Sequence, residues 1–340
     1  MDARHLCLGT AVLLALSACS GTNGSGDGGA LGGKVGNGGT VVGGSGGGTP
    51  GTAGITGTGG SGNGTTSTTT LATAQGNVGE LAVDRASIYW LNDTDVRKMP
   101  INGGTPTTLA TGQDVPAHLV MDSKNVYWVN LNAGTVMMVP IDGGTPTTLA
   151  TGQVYPVYIA VNARGVYWES NGDAVMTVPL GGGTPTALVS GGTVNNIAVN
   201  ATTVYWTGGD KVQSVPIGGG TPTVVASGQW QSIDVAVDAA NVYWSTVNRA
   251  TNTGTVMKVP IGGGSPTTLA STDRQPYYLA VDATDVYWLV GSDGVMRVPI
   301  PGGAVTTVVS PDIPTMAFAV DATSIYVADS SGAILKLTPK

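Results

Sequence analysis

The chain has 340 residues, of which 41% are hydrophobic and only 10% are charged, and its formal net charge is −7. Because the charge is acidic and the few basic residues form no cluster, the composition argues against nucleic-acid binding. The two cysteines and one of the two histidines lie near the N-terminus. The rest of the chain can therefore form no disulfide, no cysteine metal site and no site with two histidine ligands, and a Ser/His/Asp triad would have to use His118.

Residues 1–18 have the pattern of a secretory signal peptide. Arg4 precedes an apolar run over residues 6–16, which is too short to span a bilayer and fits the hydrophobic part of an export signal. The run ends in the sequence LSAC at Leu16–Cys19, which resembles a bacterial lipobox. The resemblance implies that the chain is cut before Cys19 and that this cysteine carries lipid. Ordinary signal cleavage beside an incidental cysteine is the alternative.

The expected location follows from the same resemblance. Two or more acyl chains on one residue anchor a protein lastingly, so Cys19 predicts an exported protein held at the cell envelope. The next residue is Ser20 and not aspartate, which in lipoproteins of this type favours the outer membrane of a Gram-negative bacterium. Residues 19–65 are rich in Gly, Ser and Thr and have little apolar content to bury, so they predict a flexible tether between the lipid and a folded domain.

The folded domain is predicted over residues 66–340, where a unit of about 40 residues recurs. Each copy is marked by adjacent Tyr and Trp residues, the last copy having Val in place of Trp. The seven pairs are Tyr89-Trp90, Tyr127-Trp128, Tyr167-Trp168, Tyr205-Trp206, Tyr243-Trp244, Tyr287-Trp288 and Tyr326-Val327.

Each copy divides into four short strands. The first ends in Asp or Asn, the second holds the Tyr-Trp pair, the third ends at Pro, and a Gly-Gly turn leads to a Thr-rich fourth strand. Adjacent aromatics point to opposite faces, so the second strand must be covered on both faces. Four antiparallel strands per unit of about 40 residues are typical of a propeller blade, and the aromatics are then core residues. The sequence predicts an all-β, seven-bladed β-propeller, with six blades as the less favoured count.

The two ends of the domain are predicted to share one blade. The seventh copy ends after its third strand, whereas the sequence TTTLATAQ at Thr68–Gln75 matches the fourth-strand sequence PTTLATGQ at Pro106–Gln113. Residues 68–73 should therefore supply the outer strand of the last blade and close the ring.

The repeat resembles the YWTD repeat of low-density-lipoprotein-receptor-type propellers. The matching segments in one copy are Val126–Trp128, Ile141–Gly143 and Ile159–Asn162. The resemblance covers residues 80–340 and implies a propeller with a binding role. It departs from that family in having no Asp directly after the YWT sequence, seven copies in place of six, and no cysteine-rich module.

A candidate site is predicted at one mouth of the central channel. The turns after the first and third strands are nearly uniform, whereas the loops entering the first strand and leaving the second vary, and varied loops on a uniform scaffold are where binding is expected. Four residues before each first-strand Asp or Asn, the copies carry Glu80, His118, Tyr158, Asn196, Asp234, Tyr278 and Ala317. Outside this predicted ring stand Asp114, Asn130, Asn132, Tyr155, Glu169, Asp173, Trp230, Arg274 and Tyr277. A plain solvated rim is the alternative.

Two classes of function remain open at this stage. The favoured one is a non-catalytic binding or scaffolding module for a protein, peptide or carbohydrate, monomeric and without a cofactor, with aromatic contacts from Tyr155, Trp230, Tyr277 and Tyr278. The alternative is a metal-dependent enzyme of the lyase or lactonase type. In that case Glu80, His118 and Asp234 would hold calcium or magnesium, with His118 as the general base.

Overall fold

A computed structural model describes residues 66–291 and 294–340. These residues form seven four-stranded antiparallel sheets, which confirms the predicted all-β, seven-bladed propeller and excludes six blades. None of these residues belongs to a helix long and apolar enough to cross a membrane. The predicted signal peptide, Cys19 and the tether over residues 19–65 lie outside the described residues.

The strands follow the same order in every blade, from the central channel outwards. The innermost strands are β2 (Glu80–Val83), β6 (Pro116–Met121), β10 (Ile159–Val161), β14 (Asn196–Val199), β18 (Gln231–Val237), β22 (Tyr277–Val281) and β26 (Thr315–Val320). The second strands are β3 (Ser87–Leu91), β7 (Asn125–Asn130), β11 (Gly165–Ser170), β15 (Thr203–Gly208), β19 (Asn241–Asn248), β23 (Asp285–Leu289) and β27 (Ile325–Asp329).

The two outer positions of each blade complete the sheets. The third strands are β4 (Val96–Pro100), β8 (Thr135–Pro140), β12 (Ala174–Pro179), β16 (Lys211–Pro216), β20 (Thr253–Pro260), β24 (Val295–Pro299) and β28 (Ile334–Thr338). The outermost strands are β1 (Ser67–Ala72), β5 (Thr107–Ala110), β9 (Thr147–Ala150), β13 (Thr186–Ser190), β17 (Thr223–Ala226), β21 (Thr267–Thr272) and β25 (Thr306–Val309).

The core lies between neighbouring blades and is built from the repeated aromatics. The six tryptophans of the Tyr-Trp pairs are fully buried, as predicted. The tyrosine of one blade shares an apolar cluster with the tryptophan of the next: Tyr89 with Trp128, and Tyr127 with Trp168. The pattern continues around the ring, where Tyr326 of the last blade joins Trp90 of the first. Each second strand therefore stabilises two interfaces, one through each face.

The ends of the innermost strands where the repeated Asp or Asn lies define the exit face. Asp122 shows the arrangement: its Oδ1 accepts hydrogen bonds from the backbone nitrogens of Lys124 (2.7 Å) and Asn125 (2.8 Å), and its Oδ2 accepts one from the Tyr127 hydroxyl (2.8 Å). The turn-capping role of these carboxylates is confirmed. The same three bonds are made by Asp84, Asp238, Asp282 and Asp321.

Gly-Gly turns on the same exit face join the third and fourth strands. Gly143 and Gly144 adopt φ of 90° and 142°, a region that other residues enter only with strain. The Gly143 nitrogen donates to the Pro140 carbonyl at 2.9 Å, which fixes the reversal directly after the proline that ends β8.

The N-terminal strand closes the ring. β1 pairs antiparallel with β28, from Ser67 opposite Thr338 to Ala72 opposite Ile334, so the predicted shared blade is confirmed with its strand one residue earlier than expected. Because β28 runs towards the exit face, β1 begins at that face and ends on the other one. The opposite face, which carries the entry ends of the innermost strands, is called the mouth face below.

Candidate functional site

The innermost strands surround a central cavity of about 500 Å³. Five of the seven predicted ring residues line it: Glu80, His118, Asn196, Asp234 and Tyr278. Farther along the strands the wall is apolar and includes Val83, Val161 and Val199. Polar groups are therefore concentrated at the mouth face, and a ligand entering there meets them before it meets the apolar wall. Phe318, which the sequence did not single out, also lines the cavity.

The ring is less regular than the repeat predicts. Tyr158 and Ala317 are not among the described residues that line the cavity. Tyr158 instead meets the His118 ring edge-on, with centroids 5.2 Å apart and planes at 74°. Tyr158 is thus a neighbour that supports the His118 ring.

Local irregularities of the innermost strands place the ring residues. The pairing register shifts between Ala117 and Val120 in β6, and again within β18, β22 and β26, which marks β-bulges at these points. Within two of these bulges, His118 and Tyr278 have φ of 45° and 52°, in the left-handed region that side chains rarely adopt. Such bulges redirect side chains, and here they lie where the side chains of β6 and β22 reach the channel.

Asp234 is the best-held residue of the ring. Its side chain is only 7% exposed. Its Oδ1 accepts hydrogen bonds from the Asn196 Nδ2 (2.7 Å) and the Val235 nitrogen (2.8 Å), and its Oδ2 accepts one from the Leu279 nitrogen (2.7 Å). Burial raises the pKa of Asp234 to about 6 although these backbone donors lower it. Three blades therefore converge on one carboxylate.

Glu80 has a different environment. Its side chain lines the cavity, and no hydrogen bond to its carboxylate occurs within residues 66–291 and 294–340. Protein surrounds the carboxylate on most sides, and this burial, together with the negative charge of Asp234, raises its pKa to about 8. A Glu80 carboxylate at neutral pH is thus held largely protonated by its surroundings.

His118 is a neutral imidazole in this site. Burial lowers its pKa to about 4, and the Ile159 nitrogen lies 3.5 Å from its Nδ1. In the described part of the chain no carboxylate hydrogen-bonds to the ring. Because a general base works best with a pKa near the working pH, His118 is poorly matched to that role.

The three candidate metal ligands do not form a metal centre. Among the described residues, no group of three His, Cys, Asp or Glu side chains is arranged to hold a metal ion. Glu80, His118 and Asp234 line the same cavity, but they reach it from the first, second and fifth blades.

The predicted loop residues differ in accessibility. Tyr155 and Trp230 are exposed by 53% and 52%, on loops that enter the innermost strands of the third and fifth blades. Arg274 is also exposed. Tyr277 lies in β22 and not in a loop, and it is partly buried with its hydroxyl bonded to the Gln275 Oε1. Tyr155 and Trp230 are therefore the large aromatic surfaces that this face offers to a partner.

Two residues expected at the rim are buried, and the prediction for them is wrong. Asn130 lies at the end of β7, where its Nδ2 donates to Gln113 Oε1 at 3.0 Å. Glu169 is 2% exposed, and its carboxylate accepts hydrogen bonds from the Val157 nitrogen (3.1 Å) and the Gly172 nitrogen. Burial raises the pKa of Glu169 to about 7, although these bonds lower it. Both side chains brace loops from inside and cannot contact a ligand on the surface.

The remaining rim residues do lie on the mouth face. Asn132 Nδ2 donates to Asp114 Oδ1 at 3.1 Å, which ties the loop leaving β7 to the loop entering β6. Asp173 is exposed on the loop leaving β11. These bonds show that the two kinds of varied loop lie side by side, as the repeat predicted.

No protein-family model matches the chain, and no curated protein sequence matches it. Solved structures share its fold at low identity. The virginiamycin B lyase of Staphylococcus aureus superposes with a TM-score of 0.67 at 13% identity, over 81% of this chain and 99% of that one. The WD40 propeller domain of Doa1 gives 0.65 at 14% identity, over 81% and 98%.

A third solved structure shares the fold over a smaller part of this chain. A chain of the nidogen/laminin complex superposes with a TM-score of 0.52 at 17% identity, over 65% of this chain and 93% of that one. At these identities the similarities establish the β-propeller fold.

Proposed function

We propose that this protein is a non-catalytic binding module and that its ligand, a protein, peptide or carbohydrate, docks on the mouth face. The observation that carries the proposal is the pair of exposed aromatic side chains, Tyr155 and Trp230, on varied loops of that face. Exposed Trp and Tyr residues dominate the energy of most binding surfaces because they offer large, rigid contact areas. Over the rest of the propeller, the repeated aromatics are buried and serve the core.

The chemistry of the cavity gives less support to an enzyme. A metal-dependent lyase or lactonase needs a ligand cluster and a base, and His118 is neutral with a pKa lowered to about 4 by burial. The virginiamycin B lyase likeness is a likeness of fold at 13% identity. The nidogen/laminin complex supports protein binding by a propeller of related shape to the same limited degree.

The binding proposal is tested with the full chain on a random peptide library and a glycan array. For a ligand selected in this way, Trp230→Ala or Tyr155→Ala should lower the affinity about tenfold, the usual loss when an aromatic anchor is removed. Val224→Ala is the matched control, because Val224 is 51% exposed but lies on the outermost strand β17. Equal losses in all three variants, or no selected ligand, would refute the proposal.

The placement at the membrane is a second part of the proposal. Cys19 would anchor the protein to the envelope, with residues 19–65 as its tether. β1 starts on the exit face, so the chain enters the propeller on the side opposite the mouth face. Replacing Cys19 by Ala should move the protein from the membrane fraction to the soluble fraction, whereas Cys7→Ala should not. Membrane retention of the Cys19 variant would rule out the anchor.

A further inference from the structure

The cavity has an uncompensated charge pattern. Its lining contains two carboxylates, Glu80 and Asp234, and no Lys or Arg side chain among the residues recorded there. Elsewhere in the described chain a partly buried carboxylate has a cation beside it, as Asp282 has Lys340. Carboxylates removed from water without a cation are costly, and a positive group between them would relieve that cost.

Hydrogen-bond acceptors are also left over at the mouth. Asp234 uses both oxygens on three donors, one of which is the Asn196 Nδ2. Asn196 lines the cavity, its nitrogen is committed to Asp234, and within residues 66–291 and 294–340 no hydrogen bond to its carboxamide oxygen occurs. The same part of the chain supplies no donor to the Glu80 carboxylate. A donor group from outside the protein can therefore bond to both acceptors at the mouth.

The other groups of the ring suit an organic cation better than a metal ion. Tyr278 adds an aromatic ring to the lining, and aromatic faces attract ammonium and guanidinium groups. The described residues hold no three-ligand cluster for a metal ion. Below the ring the wall is made of valine and other apolar residues, so a charged group finds partners only at the mouth.

We propose that the mouth of the channel receives the ammonium or guanidinium group of a lysine or arginine side chain, presented by a peptide segment of the ligand that docks on the mouth face. This inference rests on the proposed binding function and specifies its ligand. Glu80 and the Asn196 carboxamide oxygen would accept hydrogen bonds from the charged group, and Asp234 would contribute its charge from across the channel. Lysine and arginine suit the site because an apolar stem carries the charge inwards from the rim.

The binding should depend on pH through Glu80. Burial raises the pKa of its carboxyl to about 8, and a cation beside it favours the ionised form, so binding releases a proton and strengthens as pH rises from 6 to 8.5. The other titratable groups of the mouth are His118, already neutral in this range because burial lowers its pKa to about 4, and Asp234, whose pKa is raised by burial to about 6. Glu169 is buried nearby with a pKa raised to about 7, and Tyr158 stays protonated because burial raises its pKa.

The test uses the full chain and capped Gly-X-Gly tripeptides in which X is Lys, Arg or norleucine, with butylamine as a free amine. Calorimetry at pH 8 should detect binding of the Lys and Arg peptides and none of the norleucine peptide, which has the same stem without the charge. Glu80→Gln should weaken binding about tenfold or more, the value of one charge-assisted hydrogen bond. Asp142→Asn is the matched control, because it removes one exposed carboxylate from a turn on the exit face.

The possible results contradict different parts of the proposal. Failure of the Lys and Arg peptides to bind, or equal effects of Glu80→Gln and Asp142→Asn, would overturn the proposal. Butylamine binding as tightly as the Lys peptide would overturn the peptide source of the cation. A library-selected ligand that needs Trp230 but neither a basic residue nor Glu80 would overturn the inference and leave the binding function intact. Lysine binding that needs Glu80 but is indifferent to Trp230→Ala would support the inference and contradict the role of the aromatic rim.

Discussion

The two ends of the innermost strands follow opposite rules. At the exit face, the same Asp or Asn returns in every blade, caps the next turn and, where it is Asp, accepts the hydroxyl of the buried tyrosine. At the mouth face the equivalent positions are not repeated in this way: among the seven blades they include carboxylates, an imidazole, phenols, an amide and a methyl group. The repeated end stabilises the fold whether or not a partner is bound. The varied end contributes little to the architecture that the blades share.

The electrostatics of the two ends differ in the same way. At the exit face, burial would raise the pKa of Asp238 and Asp321, but hydrogen bonds from turn nitrogens and tyrosine hydroxyls outweigh it and the pKa of each is lowered. At the mouth face, burial prevails and raises the pKa of Glu80 and Asp234. Carboxylates with their own donors favour the folded state as anions, and carboxylates without enough donors oppose it. At the mouth face, therefore, the protein retains carboxyl groups whose ionisation opposes folding.

The largest effect is expected from the strand that completes the scaffold. Deleting residues 66–75 removes β1 and leaves β28 with an unpaired edge, so the melting temperature should fall by about 10 °C or more, the shift expected for a loss of several kcal/mol in a domain of this size. Deleting residues 46–55 of the predicted tether is the length-matched control and should leave the melt unchanged. If both deletions gave the same melt, closure by β1 would contribute nothing to stability.

A smaller effect separates the two ends by pH. Because the folded pKa of Glu80 is about 8, against 4.5 for the ordinary carboxyl, the folded state binds its proton more tightly and stability falls as pH rises through this window. Asp234 and Glu169 act in the same direction, and His118 partly offsets them between about pH 4 and 6.5. Asp238, Asp282 and Asp321, whose folded pKa is lowered, lose their contribution only below their unfolded pKa of about 4. Stability should therefore peak near pH 4 to 5.

The substitution Glu80→Gln isolates the mouth contribution. It should raise the free energy of unfolding by a few kcal/mol at pH 8.5 and by much less at pH 5, because only the ionised carboxylate is costly. Denaturant titrations at both pH values measure this difference. Asp142→Asn serves again as the exposed control. A Glu80→Gln variant that is less stable than the parent at pH 8.5 would show that the carboxylate has a partner after all.

The smallest effect compares one hydroxyl at each end. Tyr127→Phe removes the bond to Asp122 Oδ2 (2.8 Å) at the exit face and should cost about 1 kcal/mol of unfolding free energy. Tyr155→Phe makes the same chemical change on the exposed rim and should stay within about 0.5 kcal/mol. Chemical denaturation of both variants measures the difference. Equal costs would mean that the repeated tyrosine–aspartate bond adds nothing to the scaffold.

Repetition explains which features were predictable from the sequence. The blade number, the buried Tyr-Trp pairs and the closing strand each rest on a pattern present many times, so that a single irregular copy does not change the conclusion. The candidate site rests on positions that occur once. Spacing alone placed His118 and Asp234 at the channel correctly, because the strands converge on one axis in every blade.

The predictions that were wrong concern positions where local backbone geometry and burial determine what a side chain contacts. Nothing in the spacing indicates the bulge that gives His118 its φ of 45° or brings Tyr158 against the ring of His118. Asn130 and Glu169 look like surface residues by type, yet both are buried and their side chains bond to residues of the entry loops. The only signal in the sequence was that both residues are polar. A polar residue type is equally compatible with an exposed side chain and with a buried one that hydrogen-bonds inside a loop.

The direction of β1 has a mechanical consequence. The chain enters the propeller at Ser67 on the exit face, and β1 runs from there along β28 towards the mouth face. A pull between the preceding chain and a partner held at the mouth face would act along these two strands. The five register pairs between them would then be loaded in shear and bear the force together, instead of opening one after another from an end. The strand that closes the ring is thus also oriented to carry tension.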